Sequence, residues 1–330
     1  MKKRVSVTMD KISVLMAVYK EPLEWIKETL DSVTSQFTNN QFAIELVIVL
    51  DNPVRKAELV SIISEYDFNT KNNCDCIYVC NEDNIGLASS LNRAFHASTG
   101  NYLARIDADD INYPERFMTQ YLYLKANQQV SLVGSGITRI DVSGKKINDV
   151  FASNNSVLIK IKAFYSSVAF HPTWFMKRHV FSDVKGYLPY PNAEDFDFLL
   201  RVIENKIEVH NISIPLIYYR VNPGSLSNKN ALRQRKCQLY ALKEVAKRKR
   251  NPNHIFCLKK MDLFIYSYPL TEYFYSLSQG HYNQAMNSFL NNNRFTALLS
   301  LTKSFLLCPW QAYHIYRQAK LKIIRQLKKI

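Results

Sequence analysis

Apolar and polar residues follow two alternating patterns along the first 130 positions of the chain. Short apolar runs are each followed by a stretch in which apolar residues recur every three or four positions, as on one helix face. The apolar runs are Ile12–Val18, Ile44–Leu50, Cys74–Cys80 and Tyr102–Ile106. The helical stretches are Pro22–Val33, Val54–Tyr66, Gly86–Ser98 and Pro114–Asn127. Four successive strand-plus-helix units predict an α/β fold with a mostly parallel sheet and helices on both faces.

The pattern is less regular further along the chain. Strand-like runs occupy Leu132–Ile140, Ile147–Phe151 and Ile212–Val221, and helical patterns occupy Val157–Ser167 and Glu194–Glu204. After about residue 231 the pattern becomes helical, basic and rich in Tyr and Phe. We therefore predict one domain over residues 1–230, with halves at about 11–127 and 128–230, and a helical extension over residues 231–330.

Charge separates the same two regions. The chain of 330 residues has a formal net charge of +15. Residues 1–230 are balanced, with 25 basic and 25 acidic side chains, whereas residues 231–330 carry 18 basic and 3 acidic ones. This asymmetry excludes a uniformly basic coat protein for nucleic acid, and an apolar content of 47% excludes a disordered chain.

Compartment is indicated by what the sequence does not contain. No run approaches the roughly 18 apolar residues of a membrane span, and Thr8, Asp10 and Lys11 interrupt the only candidate signal segment. The six Cys show no C-x-x-C pair, which favours reduced thiols. We expect a cytoplasmic protein.

An acidic cluster provides the strongest chemical signal. Asp107, Asp109 and Asp110 follow directly after an apolar strand, where parallel sheets bind ligands. Like charges this close repel unless a cation binds, and carboxylate oxygens suit Mg²⁺ or Mn²⁺. The alternative is a solvated acidic turn.

A second signal is the segment from Asn84 to Asn92. Gly86 would let the backbone approach a ligand at a helix start. The alternative is ordinary helix capping by Asn84.

Five segments together resemble the inverting glycosyltransferases of family 2, closest to bacterial enzymes that build O-antigen, capsule or amylovoran-type exopolysaccharide. These segments occur in the family's order: Lys11–Tyr19 (KISVLMAVY), Glu45–Asp51 (ELVIVLD), Asn84–Asn92 (NIGLASSLN), Ala104–Asp110 (ARIDADD) and Glu194–Arg201 (EDFDFLLR). The resemblance covers roughly residues 11–225. It implies a GT-A (Rossmann-like) fold, a nucleotide-sugar donor, a divalent metal and a single-displacement mechanism.

The resemblance also implies roles for individual residues. Asp109 would be the main metal ligand, with Asp107 and Asp110 beside it. The donor-binding residues would be Ala17, Tyr19, Glu21, Asp51, Asn84, Gly86, Asn92, Arg105 and Asp107, with Asp51 facing the base. Many relatives carry Asp-Asp-Gly-Ser where this chain has Asp51-Asn52-Pro53, so details of base recognition differ.

An inverting transfer requires a carboxylate that accepts the proton of the attacking hydroxyl. The resemblance assigns this role to Asp195, with Glu194 orienting or tuning it. The alternative is that both acids favour the dipole of a helix start. His171 and Arg220 would lie near the acceptor or the diphosphate. A structural histidine and a surface salt bridge are the alternatives for these two.

The C-terminal region predicts a membrane contact. A helix over residues 312–330 would place apolar side chains on one face and cations on the other, and Lys247–Arg250 adds a basic cluster. The alternative is a helix packed on its own domain. We expect peripheral association with the anionic inner face of the cell membrane, and no nucleic-acid partner.

The sequence therefore predicts a metal-dependent glycosyltransferase that needs Mn²⁺ or Mg²⁺. Its expected donor is UDP-galactose or UDP-glucose, and its expected acceptor is a polyprenyl-diphosphate-linked saccharide in surface polysaccharide assembly. A donor such as dTDP-rhamnose or a UDP-N-acetylhexosamine is the alternative within the same fold. The alternative from another class is a nucleic-acid-binding protein that uses the basic tail.

Overall fold

A computed structural model describes the protein at residues 9–68, 74–166, 168–222, 231–266, 271–308, 312–313, 315–317 and 319–321. The chain divides into two compact units. The first comprises Met1–Ala163 and Ser167–Asn228, and the second comprises Phe164–Ser166 and Lys229–Ile330.

The first unit is built from strands and helices in alternation. Its strands are β1 (Asp10–Val18), β2 (Phe42–Leu50), β3 (Cys74–Cys80), β4 (Tyr102–Arg105), β5 (Ile111–Asn112), β6 (Val130–Ile140), β7 (Lys146–Val150), β8 (Phe175–Lys177) and β9 (Glu208–Arg220). Its helices are α1 (Leu23–Thr34), α2 (Lys56–Ser64), α3 (Leu87–Ala97), α4 (Arg116–Ala126), α5 (Ser156–Ala163), α6 (Arg178–Asp183) and α7 (Glu194–Glu204).

The strands form one sheet in the order β3-β2-β1-β4-β8-β6-β9-β5, with β7 paired to β6. Pairing is parallel among β1 to β4 and between β6 and β9. The strands β8, β5 and β7 add antiparallel pairs. The predicted α/β class is confirmed, and the parallel region is the part that the sequence pattern described well.

Helices cover both faces of this sheet, as predicted. On one face Val14 and Met16 of β1 pack with Leu30 of α1 and Phe117 of α4. On the other face Leu15 of β1 packs with residues of α3, α6 and α7, among them Leu91, Phe181 and Phe198. Buried apolar side chains on both sides explain why these strands are continuous apolar runs.

The register of the parallel strands brings their carboxyl ends together. Val18 of β1 lies beside Leu50 of β2, and Leu15 of β1 lies beside Arg105 of β4. The loops after these three strands therefore leave the sheet at a common edge. Binding sites in open α/β sheets are found at this edge.

The second unit is helical in the residues described, as predicted. Its helices are α8 (Ala231–Arg250), α9 (Leu258–Tyr266), α10 (Thr271–Leu290) and α11 (Arg294–Leu307). Among the described helices none is both long and apolar enough to span a membrane. Residues 322–330 of the predicted basic helix lie outside the described part of the chain.

Candidate active site

The loop after β4 gathers the three acids that the sequence singled out. Ile106 and Ala108 are buried, whereas Asp107 and Asp109, which alternate with them, remain partly exposed. One carboxylate oxygen from each of Asp107, Asp109 and Asp110 lies within 4.8 Å of the others. The alternation of apolar and acidic residues thus anchors the loop in the core while directing carboxylates to one place.

These carboxylates repel one another strongly. Burial, then the charges of Asp107 and Glu21, raises the pKa of Asp109 to about 7. Burial and both neighbouring aspartates also raise the pKa of Asp110 well above its usual range. Asp110 Oδ1 accepts a 2.9 Å hydrogen bond from the Arg220 amide, whereas its buried Oδ2 has no hydrogen-bond partner among the described residues.

This donor set fits a divalent cation. Three clustered oxygen ligands are the hard ligands that Mg²⁺ and Mn²⁺ prefer. A cation would also relieve the repulsion that raises the pKa of Asp109, and it would give the buried Oδ2 of Asp110 a partner.

Arg105 is a buried cation beside the cluster. Its guanidinium forms an ion pair with Asp107, while its Nε and Nη1 have no hydrogen-bond partner in the described part of the chain. Burial alone would lower the pKa of Arg105, but Asp107 outweighs burial and raises it. The Arg105 carbonyl accepts a 2.8 Å hydrogen bond from Arg116, a fully buried residue that sequence reasoning did not select.

A second acidic group lies at the start of α7. Glu194 is buried and Asp195 is partly exposed. Burial, then Asp195, raises the pKa of Glu194 to about 8. Burial also raises the pKa of Asp195, although the Phe196 amide and Arg105 oppose the shift. Asp107 raises the pKa of both acids, so the pair lies within electrostatic range of the loop after β4.

Asp51 is hydrogen-bonded within the protein, and its predicted contact with the base stays a prediction. Its buried carboxylate accepts hydrogen bonds from the amides of Ile85 and Gly86, at 2.8 and 2.9 Å, and from Asn81 at 2.8 Å. It therefore shapes the loop before α3.

Asn84 and Gly86 form this loop. Asn84 Oδ1 accepts the Gly86 amide at 3.1 Å, which is an Asx turn within the loop; the N-cap residue of α3 is Gly86, and no side chain caps the helix. Gly86 has a φ of 84°, and a side chain placed there would meet nothing within 4 Å. A residue with a Cβ would be strained at this φ, although open space is available. Gly86 is partly buried and its amide is bonded to Asp51 and Asn84, and the approach of a ligand to this loop stays a prediction.

The loop after β1 also lies near the acidic cluster. Glu21 Oε2 accepts the Tyr19 amide at 2.7 Å, and Arg55 donates to the Glu21 carbonyl at 2.9 Å. Glu21 is close enough to raise the pKa of Asp109. Ala17 is partly buried at the end of β1. Ala17, Tyr19 and Glu21 therefore lie at the carboxyl end of β1, and their contacts with a donor stay a prediction.

Asn92 is engaged with backbone. Its Nδ2 donates to the Tyr187 carbonyl at 2.9 Å, and its Oδ1 accepts the Tyr187 amide at 2.8 Å. Both ends of the amide are occupied, so Asn92 joins α3 to residue 187. This differs from the predicted role as a lining residue of the donor pocket.

His171 is paired with the same tyrosine. Its Nε2 lies 2.7 Å from the Tyr187 hydroxyl. Burial, then Arg105, lowers the pKa of His171 well below its usual value, so the ring is neutral. Burial raises the pKa of Tyr187. Sequence reasoning missed Tyr187, because a lone tyrosine in an irregular segment carries no recognisable pattern.

Arg220 is bonded to the loop that carries the acidic cluster, and its predicted contact with a diphosphate stays a prediction. Its buried guanidinium pairs with Glu28 and donates to the Asp109 carbonyl at 3.0 Å and to the Val142 carbonyl at 3.3 Å. It is not a surface salt bridge. Arg220 instead supports the backbone that carries the acidic cluster.

Comparison with known proteins identifies the family. The family model described as Glycosyl transferase family 2 matches residues 13–185. A glycosyltransferase of Methanocaldococcus jannaschii is 31% identical over 81% of this chain and 89% of its own length. The O-antigen biosynthesis glycosyltransferase WbnJ of Escherichia coli is 30% identical over 76% of this chain and 94% of its own length.

A third relative and two solved structures extend the comparison. An Escherichia coli enzyme described as UDP-Gal:alpha-D-GlcNAc-diphosphoundecaprenol beta-1,3-galactosyltransferase is 27% identical over 71% of this chain and 81% of its own length. The mannosyltransferase PcManGT of Pyrobaculum calidifontis, solved with GDP-Man and Mn²⁺, aligns with a TM-score of 0.56 at 15% identity over 97% of this chain and 88% of its own. S. aureus TarS 1-349, solved with UDP-GlcNAc, aligns with a TM-score of 0.55 at 14% identity over 88% of this chain and 90% of its own. The structures share the fold, and the sequence matches show that this chain is a glycosyltransferase belonging to family 2.

Proposed function

We propose that this enzyme transfers a hexose from a UDP-sugar to a lipid-diphosphate-linked saccharide, with inversion at the anomeric carbon, during assembly of a surface polysaccharide. The observation that carries the proposal is the pair of acidic groups, one after β4 and one at the start of α7. The charge of Arg105 lowers the pKa of Asp109 in the first group and of Glu194 and Asp195 in the second. The group after β4 suits the binding of a cation, and the group at the start of α7 suits the uptake of a proton.

The acids after β4 would hold Mn²⁺ or Mg²⁺. Such an ion neutralises the charge that develops on a departing nucleoside diphosphate. Arg105 adds a fixed positive charge, and its two N–H groups without a partner are available to oxygen atoms of the donor. The loops of Glu21 and Gly86 would enclose the nucleotide at the same sheet edge.

Asp195 would act as the general base. As the acceptor oxygen forms its bond to the anomeric carbon, the bond from that carbon to the diphosphate breaks, and the hydroxyl proton passes to the Asp195 carboxylate. Glu194 would tune this step, because it is buried beside Asp195 and the charge of Asp195 raises its pKa. The raised pKa of the pair suits proton uptake near neutral pH.

The choice of donor and acceptor rests on relatives. The Escherichia coli galactosyltransferase is described as using UDP-Gal and a diphosphoundecaprenol-linked sugar, and TarS was solved with UDP-GlcNAc. A UDP-hexose is therefore the first donor to test, with UDP-N-acetylhexosamine and dTDP-rhamnose as alternatives. O-antigen biosynthesis by WbnJ supports a role in surface polysaccharide assembly.

We place the enzyme in the cytoplasm at the inner face of the membrane, where a lipid-linked acceptor would be found. The excess of basic residues after position 231 favours an anionic lipid surface. A nucleic-acid partner would leave the acidic clusters unexplained.

A panel of nucleotide sugars tests this proposal. Purified enzyme with Mn²⁺ is incubated with each donor and a synthetic polyprenyl-diphosphate saccharide, and products are identified by mass spectrometry. We expect one hexose to be added from a UDP-sugar, and we expect no product after chelation or with Asp109→Asn. Transfer that survives chelation would refute the metal requirement, and absence of transfer from every donor would refute the acceptor class.

A further inference from the structure

The helical pair α10 and α11 is packed in an unusual way. Apart from Tyr275, which packs with Leu232 and Cys308, the described buried side chains of these two helices are small: Ser278 and Ala285 of α10 and Ala297, Ser300 and Ser304 of α11. Ser278 Oγ lies 2.9 Å from both the carbonyl and the hydroxyl oxygen of Ser304. Interfaces of small residues with hydroxyl hydrogen bonds across them are typical of helices that pack in lipid.

The large apolar side chains of α11 face outward instead. At about 100° per residue, its exposed uncharged residues cover an arc of about 100° opposite the buried face. Members of this outward face, which we call the α11 face, are Phe295, Leu298, Leu299, Thr302 and Leu306. Leu306 is 84% exposed, Phe295 79% and Leu298 65%. A helix pair stabilised in water would bury these side chains and expose the small ones.

Cations border the α11 face. Arg294 lies at one edge of the arc and Lys303 at the other, and both are exposed. The sequence contains no acidic residue between positions 273 and 330, whereas it contains eight basic ones there. An apolar stripe flanked only by cations is complementary to the boundary between anionic lipid headgroups and acyl chains.

The same charges argue against a second copy of this chain as the occupant. A dimer formed through the α11 face would bring Arg294 and Lys303 toward the same cations of its partner, with no acid from positions 273–330 to balance them. Helix α11 has 14 residues, or about 21 Å, which is shorter than the hydrocarbon core of about 30 Å. A helix of this length suits insertion parallel to the surface.

We propose that the α11 face docks into an anionic bilayer, with Phe295, Leu298 and Leu306 in the acyl boundary and Arg294 and Lys303 among headgroup phosphates. Leu290 at the adjoining end of α10 is 74% exposed and extends the apolar surface at the turn between the helices. This inference rests on the proposed membrane function and names the surface that carries it.

Vesicle flotation with the full chain tests the docking surface. The vesicles contain phosphatidylcholine with or without phosphatidylglycerol. The test variant is Leu298→Ser/Leu306→Ser. The control variant is Leu263→Ser/Ile255→Ser, which removes two apolar groups that are also exposed in the second unit but lie outside α11. We expect at least tenfold weaker binding to anionic vesicles for the first variant and less than twofold for the second. Equal binding by the first variant and wild type would overturn the proposal.

Leu298→Lys separates insertion from simple charge attraction. It adds a cation, so attraction by charge alone predicts stronger binding, whereas insertion of the α11 face predicts weaker binding. Stronger binding would overturn the proposal, as would a wild-type dimer that Leu298→Ser/Leu306→Ser converts to monomer in light scattering. Circular dichroism confirms that each variant is folded.

The flotation experiment and the transfer experiment can fail independently of each other. Transfer to a short-chain, water-soluble diphosphate acceptor without vesicles should be unchanged in Leu298→Ser/Leu306→Ser. If wild type shows no transfer to this acceptor, the proposed reaction fails while the flotation result stands on its own.

Discussion

The two acidic groups of the site are held in different ways. The loop after β4 is held from outside by distant elements: Thr29 of α1 donates to the Asp110 carbonyl at 2.7 Å, and Arg220 of β9 contacts both Asp109 and Asp110. Glu194 and Asp195 are held by their own helix, with the Phe196 amide bonded to Asp195 at 2.7 Å. The first arrangement fixes several oxygens in one geometry, as a cation requires. The second leaves a partly exposed carboxylate, as proton exchange requires.

The largest effect should come from removing one oxygen of the first group. We expect Asp109→Asn to lower transfer at least a thousandfold, because a loss of about 4 kcal/mol of charge stabilisation corresponds to that factor. Without metal, the variant should unfold no more easily than wild type, since the change removes repulsion with Asp107. Transfer rates measure the loss of activity, and thermal unfolding in the presence of a chelator measures the metal-free stability. Asp183→Asn, at an exposed site of α6, is the control. A metal-free variant markedly less stable than wild type would contradict this account of the first group.

Removing the proposed base should produce the next largest effect. We expect Asp195→Asn to reduce kcat by about 10²- to 10⁴-fold with little change in the donor KM, because general base catalysis contributes about that much. Glu194→Gln should cost less, since it removes only a neighbour of the base. Steady-state kinetics compare the two variants. If Glu194→Gln has the larger effect, the roles within the pair are reversed.

The pH profile should distinguish the pair from a single carboxylate. The pKa of Glu194 is raised to about 8 and that of Asp195 is also raised, so activity should increase as pH rises from 6 to 9. Glu194→Gln removes the upper titration and should move the acidic limb to lower pH. Rates measured in buffers of constant ionic strength test this, and an unshifted limb would separate Glu194 from the proton transfer.

The stability of the folded protein should decrease as pH rises, whereas activity should increase. Raised carboxyl pKa values mean that the folded state binds protons more tightly than the unfolded state between about pH 4.5 and 8. The contribution of the pair to stability is therefore greatest at low pH and is lost as pH rises through that window. Urea unfolding at several pH values should show a shallower loss in Glu194→Gln than in wild type.

Arg220 should contribute mainly to the stability of the fold and little to charge stabilisation during the reaction. Arg220→Gln breaks a buried network and should lower the free energy of unfolding by about 3 kcal/mol. Glu28→Gln should cost about 1 kcal/mol or less, because the Glu28 side chain is half exposed and solvent screens the pair. Chemical denaturation measures both. Equal costs would mean that the contacts of Arg220 with backbone carbonyls contribute little.

A similarly small effect is expected at Thr29. Thr29→Val keeps the shape of the side chain and removes its hydrogen bond to the Asp110 carbonyl, at a cost of about 1 kcal/mol. Transfer should fall less than threefold, because the carboxylates themselves remain. A loss of activity close to that of Asp109→Asn would show that the loop depends on this single contact.

Local patterns accounted for much of the fold and for the position of the acids. The strands β1 to β4 are continuous apolar runs, and Asp107, Asp109 and Asp110 follow β4 directly in the sequence. Three-residue β8 carries no usable periodicity, so the antiparallel insertion beside β4 was not foreseen.

Long-range contacts account for what was missed. Arg220 pairs with Glu28 from 192 positions away, and Asn92 binds the backbone of Tyr187 from 95 positions away. Neither contact has a local signature. Residue type alone could not distinguish a buried supporting arginine such as Arg220 or Arg116 from one that contacts a substrate.

The outward apolar side chains of α11 have a practical consequence for handling the purified enzyme. An exposed apolar surface in dilute buffer promotes adsorption to columns and plastic. Mild detergent micelles or lipid nanodiscs should therefore improve recovery of the protein. Chromatographic behaviour in such additives offers an early check that needs neither a donor nor an acceptor.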